Sequence, residues 1–252
     1  MSMALLWGAL SGSAVFLGAL AALYLKIPVK LTGWIMAFGT GVLMGAAAYE
    51  LLGDSMEQGG MGPTVLGFSI GAILFTAFDW YISRKGGAGR KRSSKESEKT
   101  KKGSAGGGKE GGAAIFVGTV MDAVPESIMI GTSLLSGSVS WLLVVAIFIS
   151  NIPEGLSSTV GLKAGGYSRG KILLLWLSVL VISALCSLGG YVFLEGAPDE
   201  LMAVIGSFAG GGITAMVAST MMPEAYEEGG PVVGLLSACG LISSLILDRL
   251  SG

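Results

Sequence analysis

Two short segments of this 252-residue chain carry the side chains best suited to chemistry. They read Met121-Asp122-Ala123-Val124-Pro125-Glu126 and Ile149-Ser150-Asn151-Ile152-Pro153-Glu154, each with a Pro-Glu pair inside a long apolar run. Asp122 and Glu126 are spaced i, i+4, so on a helix both carboxylates leave one face. Ser150, Asn151 and Glu154 line one face of the next apolar run in the same way. A carboxylate at bilayer depth costs about 2.5–3.5 kcal/mol on insertion scales. No Lys, Arg or His lies at that depth to neutralise these three. Either the acids stay protonated or a cation compensates them. Pro125 and Pro153 each remove a helix hydrogen bond, which frees the carbonyls of Met121 and Ile149. Freed carbonyls are tolerated inside a membrane where they line a polar cavity. Carboxylate, amide, hydroxyl and carbonyl oxygens together suit a hard-leaning divalent cation. The plainer reading is helix glue, with acids hydrogen-bonded between helices at two proline kinks. The doubled Pro-Glu, with Asp122, Ser150 and Asn151 beside it, favours cation binding.

The elements that must hold these residues are membrane spans. Hydrophobic residues make up 52% of the chain and charged ones 13%, with a mean hydropathy of +0.72. A soluble domain carries roughly 25% charged residues to wet its surface. Ten of the 16 Lys and Arg fall between Arg84 and Lys109, so the remainder is too apolar to face water. A bilayer core of about 30 Å needs roughly 20 apolar residues in a helix. Eight windows qualify: Met3–Leu25, Leu31–Leu52, Pro63–Ile82, Ala113–Leu135, Val139–Leu162, Ile172–Leu194, Leu201–Met222 and Val232–Leu250. The first lacks a basic leader and a cleavage site, and reads as a span. Turn-rich connections such as Gly59-Gly60, Ser136-Gly137-Ser138 and Gly229-Gly230-Pro231 separate them. Only Arg84–Gly112 is long, and its Gly/Ser/Lys composition reads as a flexible linker within a single transmembrane domain spanning 1–252. The expected fold is all-α.

Basic residues set the orientation. Lys26 and Lys30, the Arg84–Lys109 cluster, and Lys163, Arg169 and Lys171 occupy alternate connections. That side is expected to be cytoplasmic, with both termini outside, in a multi-pass protein of the cell membrane. Trp7, Trp34, Trp80 and Trp141 fall near span ends, where interfacial aromatics belong.

Composition also excludes functions. The chain has no histidine, which removes Ser-His-Asp triads, HExxH zinc sites and His-ligated haem. Cys186 and Cys239 form neither a CxxC pair nor a disulfide framework. Neither GxGD nor GxSG occurs, so an intramembrane hydrolase is disfavoured, as is enzyme activity in general. Nothing calls for a prosthetic group, and no nucleic acid is implied; the partners are the lipid bilayer and divalent metal ions, and a homodimer is compatible with the pattern.

Laying Phe38–Gly60 over Phe208–Gly230 gives six identities in 23 positions, among them Phe38/Phe208, Gly41/Gly211 and Gly60/Gly230. The two segments cross in opposite directions, and inverted repeats flanking central helices are a transporter architecture with the substrate near the midplane.

The two Pro-Glu motifs resemble the fourth and fifth helices of the ZIP (Zrt/Irt-like) metal transporters. That family carries H-N-x-P-E-G in the fourth and H-x-x-P-E or Q-D-x-P-E in the fifth. Ser150–Gly155, Ser-Asn-Ile-Pro-Glu-Gly, is the most specific match. Ala37–Leu52 and Phe208–Ala225 resemble the second and seventh helices of the GufA-like bacterial branch. The resemblance implies eight spans in a 3+2+3 inverted repeat and transport of zinc, iron or manganese-class divalent cations, the metal being cargo. It assigns Glu126 and Glu154 as metal-binding glutamates, Glu154 being the bridge between two neighbouring sites. Asp122 stands where histidine is usual and Ala123 where asparagine is. Ser150 takes the first ligand position of the fifth helix and Asn151 the Asp-type position. The sixth-helix glutamate aligns with Ser183. One of the two family sites is therefore depleted, and the other keeps Asp122, Glu126 and Glu154, an oxygen core that suits Mn²⁺ or Fe²⁺ and still accepts zinc. Uptake into the cytoplasm by alternating access follows from the same resemblance. Glu50 and Asp54 are candidates for an entrance. Glu224, with Glu227 and Glu228, is a candidate for an exit, although a solvated helix end accounts for these three more simply. A non-transporting sensor or scaffold, and a cation-coupled carrier of another solute, stay open as alternatives.

Overall fold

The computed structural model describes residues 1–84 and 109–251. Among these residues every regular element is a helix. Helix α1 is Ser2–Tyr24 and α2 is Val29–Gly59, the latter passing through a π-helical stretch at Ala46–Leu52. Met61–Arg84 forms α3, Lys109–Ser133 α4, Trp141–Ala164 α5 and Arg169–Phe193 α6. Helix α7 covers 199–229 as Asp199–Met216, a π-helical Val217–Met221 and Met222–Gly229; α8 is Val233–Ser251. The ends of the expected linker are thus helical, through Arg84 and from Lys109, and 85–108 lie outside the described residues.

Seven helices among the described residues are long and apolar enough to cross a membrane. The first six match the expected windows in order. The last two expected windows fall in one apolar stretch, Asp199–Leu250, of 52 residues. Within it the backbone leaves the helix at Gly230, where φ is 74°. Gly60, between α2 and α3, has φ 76°. A positive φ is open to glycine at little steric cost, so each glycine ends its helix sharply. Starts are local too. Ser140 caps α5 by accepting the Leu143 N–H at 2.9 Å, and Pro28 and Pro198 precede α2 and α7.

Packing divides the helices into two bundles, α2–α3–α7–α8 and α1–α4–α5–α6, joined chiefly where α2 meets α5. Helix α5 is the most enclosed, with 72% of its span window buried against 22% for α3. Glycine makes the tight crossings. A Cβ on Gly155 would strike the Val15 carbonyl, and one on Gly18 would strike that of Ile152, so α1 and α5 cross backbone to backbone. The same reciprocal contact joins Gly131 and Gly190 to the carbonyls of Ser187 and Ile128 in α4–α6. It joins Gly41 and Gly240 to those of Ser237 and Phe38 in α2–α8, and Gly71 and Gly211 to those of Phe208 and Phe68 in α3–α7. Each helix thus supplies one carbonyl and, three residues later, one glycine. Small residues at crossings are how helices associate where lipid tails remove the hydrophobic drive, and Cα–H···O contacts accompany them.

Candidate functional site

Helices α4 and α5 meet through a register that two contacts fix. A Cβ on Gly161 would lie 2.8 Å from Ile115, and Asn151 donates its Nδ2–H to Glu126 Oε2 at 3.3 Å. Position rises along one helix as it falls along the other, so the pair is antiparallel. The register sets Asp122 level with Glu154, and Thr119 level with Ser157 and Ser158.

The structure buries all five sequence-predicted ligand positions. Glu126 is 1% exposed, Ser150 is fully buried, and Asp122, Asn151 and Glu154 are also buried. Ser150 donates back to the Ile147 carbonyl at 3.1 Å, and its backbone packs against Gly39 of α2, where an added Cβ would lie 3.0 Å from the Ser150 Cα. Both prolines sit inside unbroken helices. Among the described residues no three His, Cys, Asp or Glu side chains gather closely enough to hold a metal ion. Asp122, Glu126 and Glu154 therefore occupy neighbouring turns of two facing helices without closing into one three-carboxylate cluster.

The polar face of α5 continues past Glu154 through Ser157 and Ser158, both buried. Ser157 donates to Glu224 Oε1 of α7, and Glu224 is buried. The simpler expectation for Glu224, a solvated helix end, does not hold; Glu227 is exposed and Glu228 half-buried. The available signal was a third Pro-Glu, Pro223-Glu224. A single stripe on α5 thus touches Glu126 of α4 near mid-span and Glu224 of α7 near the end of α5 that bears Lys163.

The entrance candidates lie elsewhere. Glu50 stands in the π-helical part of α2, facing Ser140 and Leu143 at the start of α5, with Asp54 and Asp248 close by. Ten residues separate Ser140 from Ser150, about 15 Å along a helix. Asp54 is exposed. Ser183 faces α1, its Oγ 2.9 Å from where a Gly12 Cβ would sit.

Beside the carboxylates runs a cavity of about 1130 Å³ between α3 and α7 on one side and α4 and α6 on the other. Asp122 and Glu126 are the charged residues in its lining.

Scanned against models of known protein families the chain matches none, and no curated protein matches it.

Proposed function

We propose that the chain carries divalent metal cations across a membrane through the α4–α5 site, as its resemblance to ZIP transporters implies. The observation that carries the reading is the Asn151–Glu126 hydrogen bond, made at mid-span between buried side chains with Asp122 and Glu154 on the adjoining turns. Oxygen donors from two helices, in a chain with no histidine, suit Mn²⁺ or Fe²⁺ and accept zinc. Since the acids are not drawn into one cluster, a bound ion would need α4 and α5 to adjust around it.

The architecture proposed is eight spans in a 3+2+3 inverted repeat, both termini outside and the 84–112 segment cytoplasmic. The four glycine crossings support it. Phe38 and Gly41 of α2 recur 170 residues on as Phe208 and Gly211 of α7; Val15 and Gly18 of α1 recur 172 on as Ser187 and Gly190 of α6. Phe68 and Gly71 of α3 correspond to Ser237 and Gly240 of α8, and Ile128 and Gly131 of α4 to Ile152 and Gly155 of α5. This exchanges α1–α5 with α6–α4, and α2–α8 with α7–α3.

Contacts between the bundles break that symmetry, which supports alternating access. Gly39 packs tightly on Ser150, whereas their counterparts Ala209 and Glu126 both line the cavity. In the complementary state α4 closes on α7 while α5 parts from α2. With orientation as proposed, Glu224 lies on the cytoplasmic half of the path, where an exit belongs.

Glu154→Ala should abolish metal-dependent uptake into proteoliposomes while the protein stays monodisperse in detergent. Undiminished uptake removes Glu154 from the mechanism. The second reading, a membrane sensor or scaffold with a degenerate site, is favoured by the missing three-acid cluster and by Ser183 facing α1. Metal binding without flux in the wild type would select it.

A further inference from the structure

We infer that the cavity between the bundles is a binding site for the acyl chain of a bilayer lipid. It is lined by 67–75, 121–129 and 204–216, interior to α3, α4 and α7, and by 182–194, which runs to the end of α6, so it lies at hydrocarbon depth and reaches toward one membrane face. Its rim is open sideways: Leu74 of α3 and Leu185 and Phe193 of α6 are exposed, while Phe75 and Ile213 deeper in the cleft are buried. Apart from Asp122 and Glu126 its walls are apolar, so most of its surface offers water no hydrogen-bond partner. The medium at the rim is lipid tails, and a cavity of about 1130 Å³ exceeds the roughly 300–1,000 Å³ of drug-sized ligand pockets. Glycines keep it open. A Cβ on Gly189 would meet nothing nearer than the Phe193 ring at 3.7 Å, and one on Gly212 nothing nearer than the Gly71 carbonyl at 4.0 Å.

Lipid tails are as apolar as leucine, so no hydrophobic drive holds a chain there. Retention comes from dispersion contacts with walls on both sides, which a chain on a convex helix surface lacks. The bound chain covers the lateral side of Asp122 and Glu126. The inference rests on the membrane-spanning reading alone and is independent of the cargo.

The test is photolabelling in vesicles of phosphatidylcholine that includes a fraction with a mid-chain diazirine, followed by peptide mapping. The wild type should concentrate label in 121–129 and 182–194. Gly189→Leu, which projects a side chain into the cavity beside Phe193, should lower that label several-fold and leave label at the exposed Leu174 and Ile246 unchanged. Leu185→Trp narrows the exposed rim without touching a helix crossing, and should act the same way if Gly189→Leu does not fold. Label spread evenly over all exposed positions, or indifferent to both substitutions, overturns the inference. So does cross-linking of the rim residues to a second copy of the chain. Uptake is not read, so a failure here leaves the transport reading standing, and the converse.

Discussion

Pro-Glu occurs three times in this chain, and the glutamates of all three, Glu126, Glu154 and Glu224, are buried. The first two stood out in sequence because they fall mid-window with other polar residues beside them. Glu224 did not, because hydropathy places it near Glu227 and Glu228 at the end of a window, where a solvated acid is unremarkable. Only tertiary packing brings Ser157 of α5 to it. Ser157→Ala removes that donor from a buried carboxylate; it should slow metal uptake several-fold and leave expression and oligomeric state unchanged, as measured in proteoliposomes. Glu50→Gln, beside Ser140 and so about 15 Å along α5 from the level of Ser150, should change uptake far less. Asn151→Ala removes one hydrogen bond between membrane helices, about 0.6 kcal/mol on average. It should therefore lower Tm only slightly while weakening metal binding by titration, because Glu126 loses the group that orients it.

Helices and their order were legible at the scale of elements, since apolar runs of span length bounded by turn residues leave little freedom. Residues paired in the repeat alignment have like local settings: Phe38 and Phe208 supply crossing carbonyls, Gly41 and Gly211 crossing glycines, and Gly60 and Gly230 the positive-φ stops. Three features were not legible. Hydropathy ends the second window at Leu52, but the helix continues to Gly59 through a π-helical stretch, which leaves no compositional trace. The relation of α4 to α5 also misleads, because Pro-Glu recurs at 28 residues and the crossing glycine at 24, one turn apart. Hydropathy cannot tell which glycines meet a carbonyl. Gly155→Ala should cost about 1–3 kcal/mol as overpacking, read as a lowered Tm. Gly62→Ala, whose Cβ meets nothing within 4 Å, should leave Tm unchanged or raise it.

For the whole molecule, two bundles touching closely at α2–α5 and parted beside α4–α7 give the carboxylates one packed side and one open side. The charge of those acids, at a depth with no basic residue, is what a passing cation would compensate. Glu126→Gln keeps the shape of the side chain and an oxygen for Asn151 while removing the charge. The decisive measurement is uptake of Mn²⁺ and Zn²⁺ into proteoliposomes by the wild type and by Glu126→Gln. Saturable uptake by the wild type of at least one of these ions, lost in the variant, is the predicted result. Equal uptake by both proteins, or none by either, contradicts metal carriage through this site.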